Sequence, residues 1–307
     1  MKSSRFDTRA EQRLVVYVPQ LESLLREAGQ LPPLIDALTR NHASHPLDPQ
    51  SPQGELVAGS PLPAAPLTRR SDRPDDAQGA WLRADPVGLV PDLAAVWLQT
   101  DASFPSGEWS EALSSLLREE GLTLELTESG RGYVRLDCPP ETLFSPPWTL
   151  AGASLEHGLP QGGDAQRWRR LLNETQVLLQ QLRKAADDPA AIPGSLWFWG
   201  GGSLPDSSAI RPRVCRIVAD DPVLVGLADW LGLPRRPASE EVEPLPGAIV
   251  EWPVRFDDAA DDNLARLHDF LGAAWRRLRL GRIRRLELAS TETVRRFSVG
   301  DAWRVWR

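Results

Sequence analysis

The chain has 307 residues, enough at ~100–200 residues per domain for a full α/β core and one smaller domain. Its two cysteines, Cys138 and Cys215, lie far apart and outside any CxxC or Cys/His spacing, which argues against a disulfide framework or a zinc site and fits a reducing cytoplasm. The formal net charge of -7 argues against a general polyanion binder, the amino terminus has no apolar signal core, and no stretch approaches the ~20 apolar residues that cross a bilayer.

Arg13-Leu-Val-Val-Tyr-Val-Pro19 reads as a buried strand, a short β-branched and aromatic run stopped by proline. Leu31 to Arg40 places Leu34, Ile35 and Leu38 at helical spacing after two prolines suited to a helix start. From 43 to 79 the chain is rich in Pro, Ser, Gly and Asp without a sustained period, and a long excursion or partly disordered linker is expected. Trp81 to Val90 and Ala94 to Gln99 form a predicted hairpin. Ser106 to Glu120 is an amphipathic helix with Trp109, Leu113, Leu116 and Leu117 on one face and Gly121 placed to end it. Leu122 to Leu126 and Tyr133 to Leu136 flank Glu128-Ser-Gly-Arg-Gly132 as a second hairpin.

A helix follows from Asp164, a plausible N-cap, with Trp168, Leu171, Leu172, Thr175, Leu178, Leu179 and Leu182 at helical spacing. Gly194 to Pro205 is a buried strand running into a glycine triplet. Val214 to Val218 is another strand, Pro222 to Leu231 a helix closed by Gly232, and Leu264 to Leu278 a helix with one apolar face. Ile283 to Leu288 is the last predicted strand. The expected fold is therefore α/β: a mostly parallel sheet built from 11–42 and 164–307, a linker at 43–79, and an inserted α+β domain of ββαββ order at 80–160.

Two compositional features bear on partners. From Trp275 to the end there are ten arginines against Glu287, Glu292 and Asp301. Such a stripe could bind an anionic partner, while the plainer expectation pairs it with Glu240, Glu241, Glu243 and Asp257 to Asp262. Twelve tryptophans against two tyrosines point to indole-rich packing, and Asp301-Ala-Trp-Arg-Val-Trp-Arg307 is aromatic enough to be expected to dock.

The triplet Gly200-Gly201-Gly202 is the most site-like local feature, because a glycine-rich loop after a strand lets backbone N–H groups approach an anion. It fits neither GxxxxGK[ST] nor GxGxxG, and glycines beside Trp197 and Trp199 equally serve a turn with positive φ. His42, His45, His157 and His268 are scattered, and no Ser-His-Asp set follows from spacing.

The order of these segments resembles a family. Arg170-Leu-Leu-Asn-Glu174 followed by Leu196 to Pro205 is similar to the Asn-containing helix and WG-x-G turn of the archaeal-type cofactor-independent phosphoglycerate mutases. Asp220 to Gly232 and Leu31 to Arg40 are similar to further units of those enzymes, and 81–136 to their inserted domain. ADPVGL, RWRRLLNE, SLWFWGGG and the C-terminal WR-x-WR resemble the bacterial RpfE-type regulatory proteins, taken as diverged relatives of the mutases. The resemblance implies an alkaline-phosphatase/phosphoglycerate-mutase-like core and covers most of the chain outside 43–79.

The departures are specific. The mutases carry an Asp-rich metal segment and a hydroxyl nucleophile just after the first strand, where this chain has Tyr17-Val-Pro-Gln20. Their DEAGH-like segment corresponds to Leu288-Ala-Ser-Thr-Glu-Thr-Val-Arg295, which keeps an acid only at Glu292. Two-metal phosphoryl transfer needs several Asp/His ligands. The resemblance thus implies an inactive relative with a regulatory or binding role. No catalytic residue, metal ligand or cofactor is assigned. A pocket for a small anionic ligand is expected around Arg170, Asn173, Gly200, Gly201, Gly202 and Ser203, with a protein partner as the other option and nucleic acid disfavoured. The competitors are a phosphomutase or phosphatase with ligands relocated to Asp85, Asp220, Asp221, Asp257 or Asp258, and a nucleic-acid or anion binder using the arginine stripe.

Overall fold

Arg13-Leu-Val-Val-Tyr17 is buried at every position, as a strand covered on both faces must be, and it stands inside a largely parallel sheet. A computed structural model describes residues 10–40, 42–91, 96–99, 104–150, 153–238, 243–255 and 257–304. The chain divides into two compact units, Met1–Leu62 with Asp206–Arg307, and Pro63–Pro205.

The first unit begins with β1 (Arg13–Tyr17), α1 (Leu21–Glu27), α2 (Pro33–Arg40), β2 (Ser44–Pro46) and α3 (Pro52–Ala58). The second carries α4 (Ala64–Asp72), β3 (Ala80–Pro91), β4 (Val96–Gln99), α5 (Glu108–Glu119), β5 (Leu124–Leu126), β6 (Gly132–Leu136), β7 (Thr142–Leu143), β8 (Gln161–Gly162), α6 (Ala165–Ala185) and β9 (Ser195–Gly202). The chain returns to the first unit with β10 (Arg216–Val218), α7 (Pro222–Leu231), β11 (Arg235–Arg236), β12 (Ala248–Glu251), α8 (Ala260–Arg279), β13 (Arg285–Ala289) and β14 (Thr293–Ser298).

The sheet of the first unit has the order β11-β10-β12-β1-β13-β14-β2, parallel from β11 to β13 and antiparallel at β14 and β2. Helix α8 presents Leu264, Leu267, Leu271, Trp275 and Leu278 to a core shared with β1, β12, β13, α1 and α2. Each such side chain contributes roughly 1.5–3 kcal/mol by leaving water. Arg13 and Glu287 form a buried ion pair on this sheet, Nη2 to Oε2 at 2.6 Å and Nε to Oε1 at 3.0 Å, and Arg13 Nη1 also donates to the Leu56 carbonyl at 2.7 Å.

In the second unit β3 is central, antiparallel to β4, β6 and β9, with β5 on the far side of β6. Trp81 and Tyr133 pack edge to face there, and Arg69 lies over the Trp81 ring at 4.3 Å. Helix α6 packs its Trp168 against Phe198 of β9.

Several expectations are corrected. Residues 43–79 hold β2, α3 and α4, with Gln53, Leu56, Val57, Ala65, Leu67 and Arg69 buried. These helices are 7 and 9 residues long, too short to show a sustained period. Strand β9 and helix α6, expected in the parallel core, belong to the second unit. Ile283 to Leu288 is followed by another strand, β14, and β12 was not anticipated. The predicted hairpins, the helix at Leu31 to Arg40 and the helix closed by Gly232, whose φ is 60°, match β3–β4, β5–β6, α2 and α7; residues 92–95 of the first turn lie outside the described residues.

Candidate functional site

In an open parallel sheet, loops at the carboxyl ends of strands diverge where the strand order reverses, and the crevice left there is the usual ligand position. Here β10 leads outward through α7 to β11, whereas β12 leads the other way through α8 to β13. The divergence falls between β10 and β12. The residues at those two strand ends are Asp220, Asp221 and Glu251, with Tyr17 at the end of β1 beside them.

Glu251 Oε2 accepts from the backbone N–H groups of Asp220 and Asp221, both at 2.7 Å, so the end of β12 is tied to the loop after β10. Asp221 is the N-cap of α7: its Oδ1 accepts from Val223 N and Leu224 N at 2.9 Å, satisfying two amides that the helix leaves open. Gln53, 3% exposed and contributed by α3, donates through Nε2 to Tyr17 Oη at 3.0 Å and to Asp221 Oδ2 at 3.3 Å. Asp220 Oδ2 accepts from Ala238 N at 3.2 Å.

The electrostatics of this cluster are unfavourable to charge. Burial pushes the Glu251 carboxyl up, the neighbouring Asp221 charge adds to it, and the two backbone amides offset part of the shift. Burial, then Asp221, then Glu251 hold the Tyr17 hydroxyl well above the ordinary tyrosine value. Perturbed groups gathered at the strand ends where the order reverses mark a candidate site.

A second group closes the turn between β13 and β14. Glu22 of α1 accepts through Oε1 from Thr293 Oγ1 at 2.6 Å and Ser290 Oγ at 3.3 Å, with Arg295 Nη1 at 3.5 Å. Thr291 Oγ1 donates to the Pro19 carbonyl at 3.3 Å, and Val18 N to the Ala289 carbonyl at 2.8 Å. The stretch compared above with the DEAGH-like segment therefore sits at the exit of β1, where its hydroxyls and Arg295 meet Glu22 and the Pro19 carbonyl.

The residues expected from sequence lie elsewhere. The glycine triplet is the last part of β9 itself, inside the second unit, and is not a loop after the strand. A Cβ on Gly200 would stand 3.0 Å from Ala64 Cβ, one on Gly201 2.8 Å from Pro140 Cγ, and one on Gly202 2.7 Å from Pro63 Cβ. Close packing and the φ of 66° at Gly200 account for glycine there. Ser203 is exposed just past the strand. Arg170 pairs with Glu120 at 2.8 Å and Glu174 at 3.5 Å, and Asn173 is exposed, both off the buried face of α6 that carries Trp168, Leu171, Leu172 and Thr175.

The acids considered as relocated ligands are engaged or exposed one by one, apart from the neighbours Asp220 and Asp221 described above. Asp85, in the second unit, accepts from Arg83, from Gly132 N at 3.1 Å and from Trp199 Nε1 at 2.7 Å. Asp258 pairs with Arg266, and Asp257 is exposed. Among the described residues no three His, Cys, Asp or Glu side chains gather as a metal site would require. His42 packs edge to face on Phe297, and His157 Nδ1 lies 3.3 Å from the Ser154 carbonyl.

Sequence reasoning missed Gln53 and Glu251. Gln53 lay in the segment read as linker. For Glu251 a signal existed: Pro246-Gly247 followed by Ala-Ile-Val is a strand start after a turn pair.

No family model matches the chain. A stretch of 71 residues is 30% identical to a probable 2,3-bisphosphoglycerate-independent phosphoglycerate mutase of Geobacter sulfurreducens, covering 22% of this chain and 18% of that protein. Among solved structures, a cofactor-independent phosphoglycerate mutase from Thermoplasma acidophilum superposes with a TM-score of 0.38 at 14% identity over 94% of this chain and 90% of that one. The PH0037 protein from Pyrococcus horikoshii superposes with a TM-score of 0.42 at 12% identity over 94% and 87%. At these values the superpositions carry no residue correspondence.

Proposed function

We propose that this chain is a phosphoglycerate-mutase-like protein, akin to the RpfE-type regulatory proteins, that acts by binding and not by two-metal phosphoryl transfer. The observation that carries the reading is the engagement of the strand-end carboxylates. Glu251 Oε2 holds two backbone amides and Asp221 Oδ1 holds two more, so these acids fasten loops and cap a helix. A site that binds two cations needs carboxylate oxygens converging on open space. The hydroxyl beside them, on Tyr17, is fully buried, hydrogen-bonded to Gln53 and held in its protonated form, which is the opposite of an activated nucleophile.

A cytoplasmic setting belongs to the same reading and rests on two free cysteines, Cys138 and Cys215. Among the described residues no helix is long and apolar enough to cross a membrane. The relocated-ligand alternative has no favouring observation, since Asp85 and Asp258 are each matched by arginine.

The deciding experiment is phosphoglycerate mutase turnover by the purified full chain after chelation, then with added Mn²⁺, Co²⁺ or Zn²⁺. No turnover with any metal is expected. Metal-dependent turnover that disappears in Asp221→Asn or Glu251→Gln would overturn the proposal.

A further inference from the structure

The carboxyl end of the first-unit sheet is acidic, and its amino end is not. Helix α8 finishes at Arg279, the chain turns through Leu280 to Arg282, and β13 starts at Arg285, so this end carries the part of the C-terminal stripe between Arg276 and Arg285. The 3-10 turn Asp301–Trp303 lies against α8, with Arg279 over the Trp303 ring at 4.5 Å. Arg276, Arg279, Arg282 and Arg304 are exposed, and among the described residues none has an acidic side chain within ion-pair distance. Asp301, the acid beside them, accepts from Ser298 N at 2.8 Å and Ser298 Oγ at 2.7 Å. Arg277 differs: it pairs with Glu243 at 2.6 Å and donates to the Pro244 carbonyl, as the plainer expectation for the stripe required.

Arginines in a last helical turn offset the macrodipole, which accounts for Arg276 and Arg279 as charges. It does not account for the apolar surface set among them. Trp303 is 60% exposed and Leu280 69% exposed, large side chains left in water at the same helix end. An exposed tryptophan with an arginine over its ring is the composition of an interface anchor.

We infer that the surface formed by Arg276, Arg279, Leu280, Arg282, Trp303 and Arg304 docks an acidic protein segment that carries a large apolar side chain between its carboxylates. The guanidinium groups would take the carboxylates, and Leu280 with the free side of the Trp303 indole would take the apolar side chain. A single-stranded nucleic acid fits less well. Base stacking uses successive aromatic faces; here the exposed ring already carries Arg279 on one face, and the other large exposed side chain at this helix end, Leu280, is aliphatic. The chain's net charge of -7 also repels a long polyanion, whereas a short segment within about 10 Å feels chiefly the local arginines.

The test uses the full chain and fluorescence anisotropy with three labelled probes of equal charge: a Glu/Asp peptide with a central Trp-Leu, the same peptide with a central Gly-Ser, and an oligothymidylate. The Trp-Leu peptide is expected to bind about tenfold more tightly than either other probe, and Arg279→Glu and Trp303→Ala are each expected to weaken it about tenfold. Circular dichroism of both variants should match the parent; the melting temperature of Trp303→Ala should match it too, while Arg279→Glu, which reverses a charge at the end of α8, should lower it slightly. Equal binding of the two peptides, tighter binding of the oligothymidylate, or no binding of any probe would overturn the proposal. Concentration-dependent self-association in sedimentation, abolished by Arg279→Glu, would assign the surface to a second copy and overturn it likewise.

Discussion

In the second unit Asp72 faces Arg131, Tyr133 and Ser129, whereas in the first unit Glu251 faces Asp221 across two backbone amides. Burial alone would push Asp72 up, but hydrogen bonds from Arg131 and from Tyr133 Oη at 2.7 Å outweigh it and hold the carboxyl below its usual value. At Glu251 burial and a like charge act together, and two amides do not outweigh them. Arg69, Arg83 and Arg131 are structural counter-charges in a unit where aromatic rings take the guanidinium faces, as Arg83 over Trp199 at 4.9 Å shows. A unit can thus bury charge stably by matching it. Two carboxylates held side by side at strand ends by backbone amides keep a like-charge repulsion that protonation of Glu251 relieves.

The largest effect expected from breaking this contrast is at Asp72. Asp72→Ala leaves Arg131 and the Tyr133 hydroxyl without their acceptor and should cost about 3 kcal/mol in urea unfolding. A loss below about 1 kcal/mol would mean the network is not formed. Gly200→Ala comes next: positive φ and a contact against Ala64 should cost about 2 kcal/mol, and a neutral result would reopen the triplet as a ligand loop. Tyr17→Phe removes one of the two acceptors of the Gln53 amide and should cost about 1 kcal/mol.

The smallest effect is the most diagnostic, because its sign is opposite. Glu251 binds its proton more tightly in the folded state than unfolded, so its charge lowers stability above the unfolded carboxyl value, and that deficit closes as pH falls. Glu251→Gln should therefore raise the melting temperature at neutral pH, with the gain vanishing below about pH 4. Asp72, with its value lowered, contributes stability at neutral pH that is lost as pH falls through its folded value. A uniform loss in Glu251→Gln at every pH would erase the distinction between the two units.

Much of this architecture was legible locally. The β-branched run at 13–17, the spacing of Leu34, Ile35 and Leu38, and the apolar face from Leu264 to Leu278 each identified an element, because burial imposes a period that neighbouring residues reveal. The candidate site was not legible. Its contacts join Tyr17 to a glutamine 36 residues on, and that glutamine to an aspartate 168 residues further. A conspicuous local motif, the glycine triplet, drew attention instead and proves to be a close-packed strand end.

By itself the sequence determined the type of most elements and the α/β class. Only the tertiary structure decided which sheet each strand joined. Ser195-Leu-Trp-Phe-Trp199 is apolar throughout, and such a run suits a central parallel strand or an antiparallel strand covered on both faces equally well; pairing with β3 chose the second. It also decided which charges meet. A carboxylate's partner is set by packing between distant segments, so Asp72 acquired an arginine 59 residues away and Glu251 a second acid 30 residues away.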